Sequence, residues 1–538
     1  MNRREFAFKG LAGFMLAGLP NAVFLSADDG GSGERSVVIN IIARGGYDGM
    51  NVVVPYSSSE AVDFAYRVRP TIYGRALPRS RPSNNAWWFE NLIPIGNEAS
   101  SDHPGVRLHP LFSRLFDIAG NRIISPRISV NGESVPLSRY LALKAVWACG
   151  PMFAVNPSTG SFSPPKSHEV AQRIVTAGNS DPGQSNGYSA RFYDRVIQNP
   201  TLFGCIGVGG VSPIELGISQ QFGNRLTLPT NFQLSFRSHE GYDFDKNGCR
   251  DYQATRGRVS AGQFSQQVLK ALFEYVGYTD TLNPWRNRFL AMFTNTRNML
   301  DISARLNQVQ IDTQVDNQSL FDGQFIDFQG AVQTANLYSG LGQAITRFAL
   351  YEGSELGNVR YALVSIGGNF DSHREQVEGT SSIYPSFASI AGMITGVMYN
   401  VVKARLSGKL IKVIIVLKTE FGRTVFENGS SGTDHGSGNC FVAVANTDAH
   451  DGSKHKIIGP KPVVGQRGVE DFRNPTTVNL NYSPFDLAPK HGTLALHAAI
   501  LRKYIKRNDL VQEIMPELKY MEPLNEQRYF ADNLLSDL

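Results

Sequence analysis

The sequence predicts an α/β protein built on a largely parallel central sheet with an inserted cap region, and three observations predict it. Continuous apolar runs occur at Ser36–Ala43, Arg360–Ile366 and Lys412–Leu417, each short enough for a buried strand. Each runs straight into a turn that carries an acid: Arg44-Gly45-Gly46-Tyr47-Asp48-Gly49, Gly367-Gly368-Asn369-Phe370-Asp371 and Lys418-Thr419-Glu420-Phe421-Gly422. Between them lie patterns with apolar residues at three-to-four spacing, and strands that alternate with helices imply a parallel sheet.

Taken in order, the chain opens with Arg3, Arg4, Phe6 and Lys9 ahead of an uncharged Gly- and Leu-rich stretch that closes near Ser26 and Ala27. This resembles a bacterial twin-arginine leader, which implies export in a folded state and a periplasmic or secreted product. The apolar stretch is interrupted by Pro20 and Asn21 and falls short of the ~20 residues of a spanning helix, so no membrane span is expected in the mature chain. A Gly/Ser linker at 29–33 then leads into the domain expected over 28–538.

The first strand and its glycine turn follow. Helices are expected at His168–Thr176, Gln263–Tyr275, Trp285–Val309, Gly330–Tyr351 and Ser386–Leu406, and an amphipathic closing helix at His491–Lys506. The stretch of about 195–325, rich in Gly, Asn, Gln and Phe, breaks the rhythm and reads as the insertion or cap. The apolar run Phe441–Ala445 reads as a late strand.

Composition bounds the function. The 538 residues are 42% hydrophobic and 18% charged, an ordinary globular balance, and Lys plus Arg (52) barely exceed Asp plus Glu (47). An excess so small and scattered argues against nucleic acid as a partner. Cys149, Cys205, Cys249 and Cys440 form no metal-binding spacing; in an oxidising compartment they allow three pairings, and plain buried cysteines serve as well. Gly204–Gly210 lacks the lysine and the glycine order of a phosphate loop.

The chemistry concentrates in the strand-end turns. Asp48, Asp371, His373, Glu420, Asp434 and His435 are the candidate metal ligands, and mixed carboxylates and imidazoles suit zinc, manganese, iron or magnesium. Parallel strands deliver their carboxyl ends to one edge, so acids far apart in sequence converge there. Taken singly, Asp48 or Asp434 serves equally as an Asx turn beside glycine, and His373 as a hydrogen-bonded loop histidine. His168, His491 and His497 are further acid–base candidates. A second motif, Asp243, Asp245, Asn247, Gly248 and Asp251, fits the first positions of a calcium loop, but Ala254 stands where the bidentate carboxylate belongs, so an Asp/Asn/Gly turn is the favoured reading over calcium.

Arg44-Gly45-Gly46-Tyr47-Asp48-Gly49-Met50-Asn51, Leu108-His109-Pro110, Ser167-His168, Phe370-Asp371-Ser372-His373, Glu420-Phe421-Gly422-Arg423-Thr424 and Gly432-Thr433-Asp434-His435-Gly436 follow the leader in order. Together they resemble a family of twin-arginine-exported bacterial proteins of unknown function placed in the alkaline phosphatase and sulfatase superfamily. The resemblance implies a three-layer α/β/α fold with one or two metals at the carboxyl edge of the sheet. It also implies a nucleophile at a helix start, where Ser167 stands, although Ser167 is equally an ordinary N-cap. Asp371 and His373 are closer in sequence than the superfamily's usual pair, and Glu420 competes with Asp434 for one ligand slot, leaving His435 as the later histidine. The expected chemistry is metal-assisted hydrolysis of a phosphate or sulfate ester, with Arg44 or Arg423 clamping the anion. The alternative is a catalytically silent relative that binds or scaffolds an envelope component.

Overall fold

Strand β1 (Arg35–Arg44) shows why the sheet forms where it does: Val37, Ile39, Ile41 and Ala43 enter one apolar cluster, while Val38 and Ile42 enter a second on the opposite face. Alternate side chains point to opposite faces, so a run apolar on both, interrupted within it only by buried Asn40, belongs in a sheet covered on both sides. The computed structural model describes residues 34–56, 68–73, 91–100, 105–117, 122–150, 154–156, 161–162, 167–177, 191–192, 195–196, 204–209, 302, 305–327, 331–377, 382–459 and 491–515.

The other strands of this sheet are β2 (Leu141–Gly150), β3 (Cys205–Gly209), β4 (Val359–Gly367), β5 (Ile411–Lys418), β6 (Asn439–Asn446), β7 (Lys456–Ile458) and β8 (His491–Gly492). Their order is β7-β2-β6-β5-β1-β4-β3, with β8 also paired to β2. β1 is parallel to both β4 and β5, and β3 to β4, while β7 and β8 are parallel to β2. β6 is antiparallel to both its neighbours, β5 and β2, and is thus the one reversed strand of this sheet. The expected α/β class with a mostly parallel sheet is what the chain adopts.

Helix α1 (His168–Ala177) starts where the sequence places it. The helix expected at Gly330–Tyr351 starts late: Gly323–Ile326 and Val332–Ala335 form an antiparallel hairpin, and α2 runs only over Ser339–Leu350. The carboxylate of Asp327 accepts the Ala331 N–H (2.9 Å) and closes that turn, while β-branched Val332 and Thr334 suit the strand. Helix α3 (Tyr384–Leu406) has the length and hydropathy of a membrane span, yet 94% of its apolar window is buried within the protein, against α2, the hairpin and β5. It is a core helix, which is why it is apolar on all sides. The closing helix is shorter than its pattern: α4 (Thr493–Ala499) passes into a π-helical turn at Ile500–Tyr504. Of the stretch read as a cap, 205–209 supplies β3 and 323–326 packs on α3; 210–301 lies outside the described residues.

Candidate metal centre

The registers align the strand ends. Arg44 is opposite Gly367 and Ile42 opposite Lys418, so the segments following β1, β4 and β5 leave the sheet side by side. Because β6 is reversed, its start lies at that same edge, and the segment before it arrives with Asp434 and His435. A two-residue antiparallel ladder, Gly422–Arg423 with His435–Gly436, fixes Arg423 opposite His435. His168, the first residue of α1, meets the same spot.

Three imidazoles surround one carboxylate. Nε2 of His435 and Nε2 of His373 lie 3.2 and 3.1 Å from Asp371 Oδ1. The two Nε2 atoms are 3.1 Å apart. Nε2 of His168 lies 3.3 Å from Asp371 Oδ2. Donor atoms of His168, Asp371 and His435 all fall within 4.8 Å of one another. Ligands about 2.0–2.1 Å from one tetrahedral ion sit roughly 3.3 Å apart, so these separations match edges of a coordination polyhedron.

The far nitrogens are held by other acids. Nδ1 of His168 is 2.8 Å from Glu420 Oε1, which also accepts the Gly45 N–H (2.8 Å) and the Gln172 side-chain amide (3.2 Å). Nδ1 of His373 is 2.9 Å from Asp434 Oδ1, and Asn428 Nδ2 donates both to that oxygen (3.1 Å) and to the His373 carbonyl (2.9 Å). Glu420 and Asp434, expected as ligands, thus stand behind the histidines. Carboxylate–histidine pairs of this kind set ring orientation and tautomer at metal sites.

The electrostatics follow from those partners. A carboxylate accepts, so Nδ1 of His168 and of His373 donates to Glu420 and Asp434, and their Nε2 atoms turn toward Asp371. His168 Nε2 is buried and makes no hydrogen bond. Partial burial pulls the Asp371 carboxyl upward, but Arg423, His435 and His168 outweigh it and hold it down at about 2. Burial likewise opposes ionisation of Glu420, and is outweighed by His168, the Gly45 N–H and Thr419. Asp434 is lowered mainly by His373, and His168 is raised mainly by its bond to Glu420. Three carboxylates, one guanidinium and three imidazoles thus meet at one spot.

Arg423 supports this arrangement from below. Its Nε donates to Gly46 O (2.6 Å), Nη1 to Thr433 O (3.1 Å), and Nη2 to Gly45 O (2.6 Å) and Phe370 O (3.0 Å), besides pairing with Asp371. With its side chain fully buried and its N–H groups so engaged, Arg423 is not the anion clamp that its position in the sequence suggests; it fastens three strand-end segments together. Phe421 fills the space behind the histidines, its ring centre 4.7 Å from His168 and 4.5 Å from His435. Gly46 makes room for it: its φ is +64°, and a Cβ there would fall 2.3 Å from the Phe421 ring.

Other expected residues stand elsewhere. Asp48 is not a ligand: its buried carboxylate pairs with fully buried Arg69 and accepts from Met50 N (3.1 Å), Asn51 Nδ2 (2.9 Å) and Gln376 Nε2 (2.5 Å). Arg44 ends β1. Ser167 is exposed, and its carbonyl accepts the Ala171 N–H (2.9 Å), the backbone bond of an N-cap residue. His497 is buried in α4 with Nε2 2.7 Å from Lys418 Nζ, a helix-to-strand contact. Cys149, Cys205 and Cys440 are free thiols, and Cys149 and Cys440 belong to apolar clusters on opposite faces of the sheet. The leader, Cys249 and the calcium-like motif lie outside the described residues.

His168 is the ligand candidate that sequence reasoning left as a spare. Its signal was the Ser167-His168 step at a helix start.

Residues 292–446 match the model of a family described as "Protein of unknown function (DUF1501)". The match carries Asp371, His373, Glu420, Arg423, Asp434 and His435, and supports an uncharacterised family. No curated protein matches the chain.

Proposed function

We propose that His168, Asp371 and His435 hold a divalent cation, with His373 at its side, and that the chain is an exported alkaline phosphatase-like metallohydrolase acting on a phosphate or sulfate ester. The observation that carries this reading is the convergence of imidazole Nε2 atoms on one ionised carboxylate while separate acids occupy the Nδ1 atoms of His168 and His373. Three carboxylates held low around imidazole nitrogens and a single guanidinium favour a cation among them. An imidazole-rich donor set favours zinc, iron or manganese over magnesium.

A cation so held supplies Lewis-acid polarisation and a more acidic bound water. The protein's own groups do the rest. Glu420 and Asp434 hold the ring nitrogens that face away from the ion, and Arg423 keeps Asp371 ionised and in place. Asp371 and His373 each retain 45% exposure, which leaves an outer side open to a ligand, as at sites that act rather than sites that merely brace. Ser167, exposed and adjacent to His168, is the assigned nucleophilic hydroxyl. The leader residues support assignment outside the cytoplasm.

The test is metal content by mass spectrometry of purified protein, then turnover of p-nitrophenyl phosphate and sulfate. Stoichiometric metal that is lost in Asp371→Asn and His435→Ala, with turnover lost alongside, is expected; absence of metal from the parent protein overturns the reading. A second reading, a binding or scaffold protein with the same ion, draws on the saturated donors of Arg423. Bound metal with neither ester turned over selects it.

A further inference from the structure

We propose that Gln376 is a positioning residue: it ties the buried Asp48–Arg69 ion pair to the loop that presents Asp434 and His435, and so sets the geometry of the cluster. The inference rests on the metal-site reading above and extends it to residues that touch no ligand.

Gln376 is fully buried, five residues beyond Asp371. Its amide orientation is dictated by its neighbours. Asp48, ionised beside Arg69, can only accept, so Nε2 turns toward it (2.5 Å), which leaves Oε1 to accept the Thr433 hydroxyl (2.7 Å). Thr433 is gripped at every polar group, since its N–H also donates to Ser372 O (3.0 Å) and its carbonyl accepts from Arg423 Nη1 (3.1 Å). Thr433 immediately precedes Asp434, which orients His373, and stands two residues before His435.

Two backbone bonds run beside this side-chain bridge: Glu375 N–H to Ser430 O (2.9 Å) and Gln376 N–H to Ser431 O (3.0 Å). The segment 371–377 and the segment 428–435 are therefore laced along their length, and Gln376 anchors that lacing to a rigid ion pair beneath it. Arg69 extends the anchor by donating from Nε to Val425 O (2.8 Å) and from Nη2 to Thr424 O (2.8 Å), next to Arg423. Groups bonded directly to metal ligands typically change metal affinity 10–100-fold when lost, and Gln376 and Thr433 act one link farther out.

The experiment compares Gln376→Met, Thr433→Val and Thr433→Ser. Zn(II) and Mn(II) affinities are measured by chelator competition, and histidine ring signals are recorded by 1H–15N NMR on metal-free protein. Affinity is expected to fall several-fold, up to about 10-fold, in Gln376→Met and Thr433→Val and to stay near parent in Thr433→Ser, which keeps the hydroxyl. The metal-free His373 and His435 ring signals should shift in the first two variants, while those of His109 and His455 stay in place. Unchanged affinity together with unchanged His373 and His435 signals, even with lowered melting temperature, overturns the proposal. If the parent binds neither ion, the metal reading fails by itself, and the ring signals still decide whether Gln376 positions the histidines.

Discussion

Replacing Asp48 by alanine separates the two roles the sequence allowed for this residue. The carboxylate accepts from Met50, Asn51, Gln376 and both terminal nitrogens of Arg69. In Asp48→Ala the Arg69 guanidinium stays buried, keeping the Val425 and Thr424 carbonyls and the Tyr73 ring but no adjoining carboxylate bonded to it. Breaking one side of a buried pair costs about 3–5 kcal/mol, much of it from the stranded charge. At roughly 2.1 cal/mol/K per residue, a cooperative unit of several hundred residues has an unfolding entropy near 1 kcal/mol/K, so the melting temperature should drop by ~3–5 °C. The double variant Asp48→Ala/Arg69→Met removes the stranded charge and should recover at least half of that loss. The assay is a calorimetric melt beside metal uptake at saturating Zn(II), where Asp48→Ala should load as fully as the parent. A variant that melts with the parent yet takes up no metal would refute the reasoning and return Asp48 to the ligand set.

Acid should weaken the fold through His109, which burial holds at about 3. Its folded value lies below the unfolded ~6.5, so its contribution is complete above pH 6.5 and is lost as pH falls toward 3, with a slope of up to about 1.4 kcal/mol per pH unit. His109→Asn keeps an acceptor for the Leu111 N–H (3.2 Å) and should flatten the stability profile in that window, measured by urea melts from pH 4 to 8. Gly46→Ala demands a left-handed alanine and pushes on Phe421; a loss of about 2–4 kcal/mol with displaced His168 and His435 ring signals is expected, and a parent-like melt argues against the packing described. Cys149 and Cys440, buried and with burial raising both thiols, should react with a thiol reagent only after denaturation, and a disulfide between them detected by mass spectrometry would contradict their placement on opposite faces.

The strands were legible because burial on both faces demands uninterrupted apolar runs, and parallel order then dictated that Asp371 and Glu420 leave the same edge. Asp434 and His435 joined them for a reason the same runs contain only implicitly: Phe441–Ala445 had to be reversed to deliver its start there. Asp48 misled because its partner Arg69 lies in a stretch without periodic signal, and a turn acid bonded to a buried arginine looks, in sequence, like a turn acid awaiting an ion. Arg423 misled in the opposite sense. Its distance from Glu420 pointed to the cluster, but whether a guanidinium is free or consumed depends on carbonyls from Gly45, Gly46, Phe370 and Thr433, which periodicity does not encode. The expected helix start at Gly330 yielded to a hairpin because a short strand with β-branched Val332 and Thr334 was continuous with a true helical pattern.

The reversal of one strand has a consequence for biogenesis. The ribosome delivers residues in order, and the cluster draws on position 168 near the beginning and on 434–435 beyond three-quarters of the way along. A nascent chain that has released β1, β4 and β5 still lacks His435, so the cluster is completed only late in synthesis.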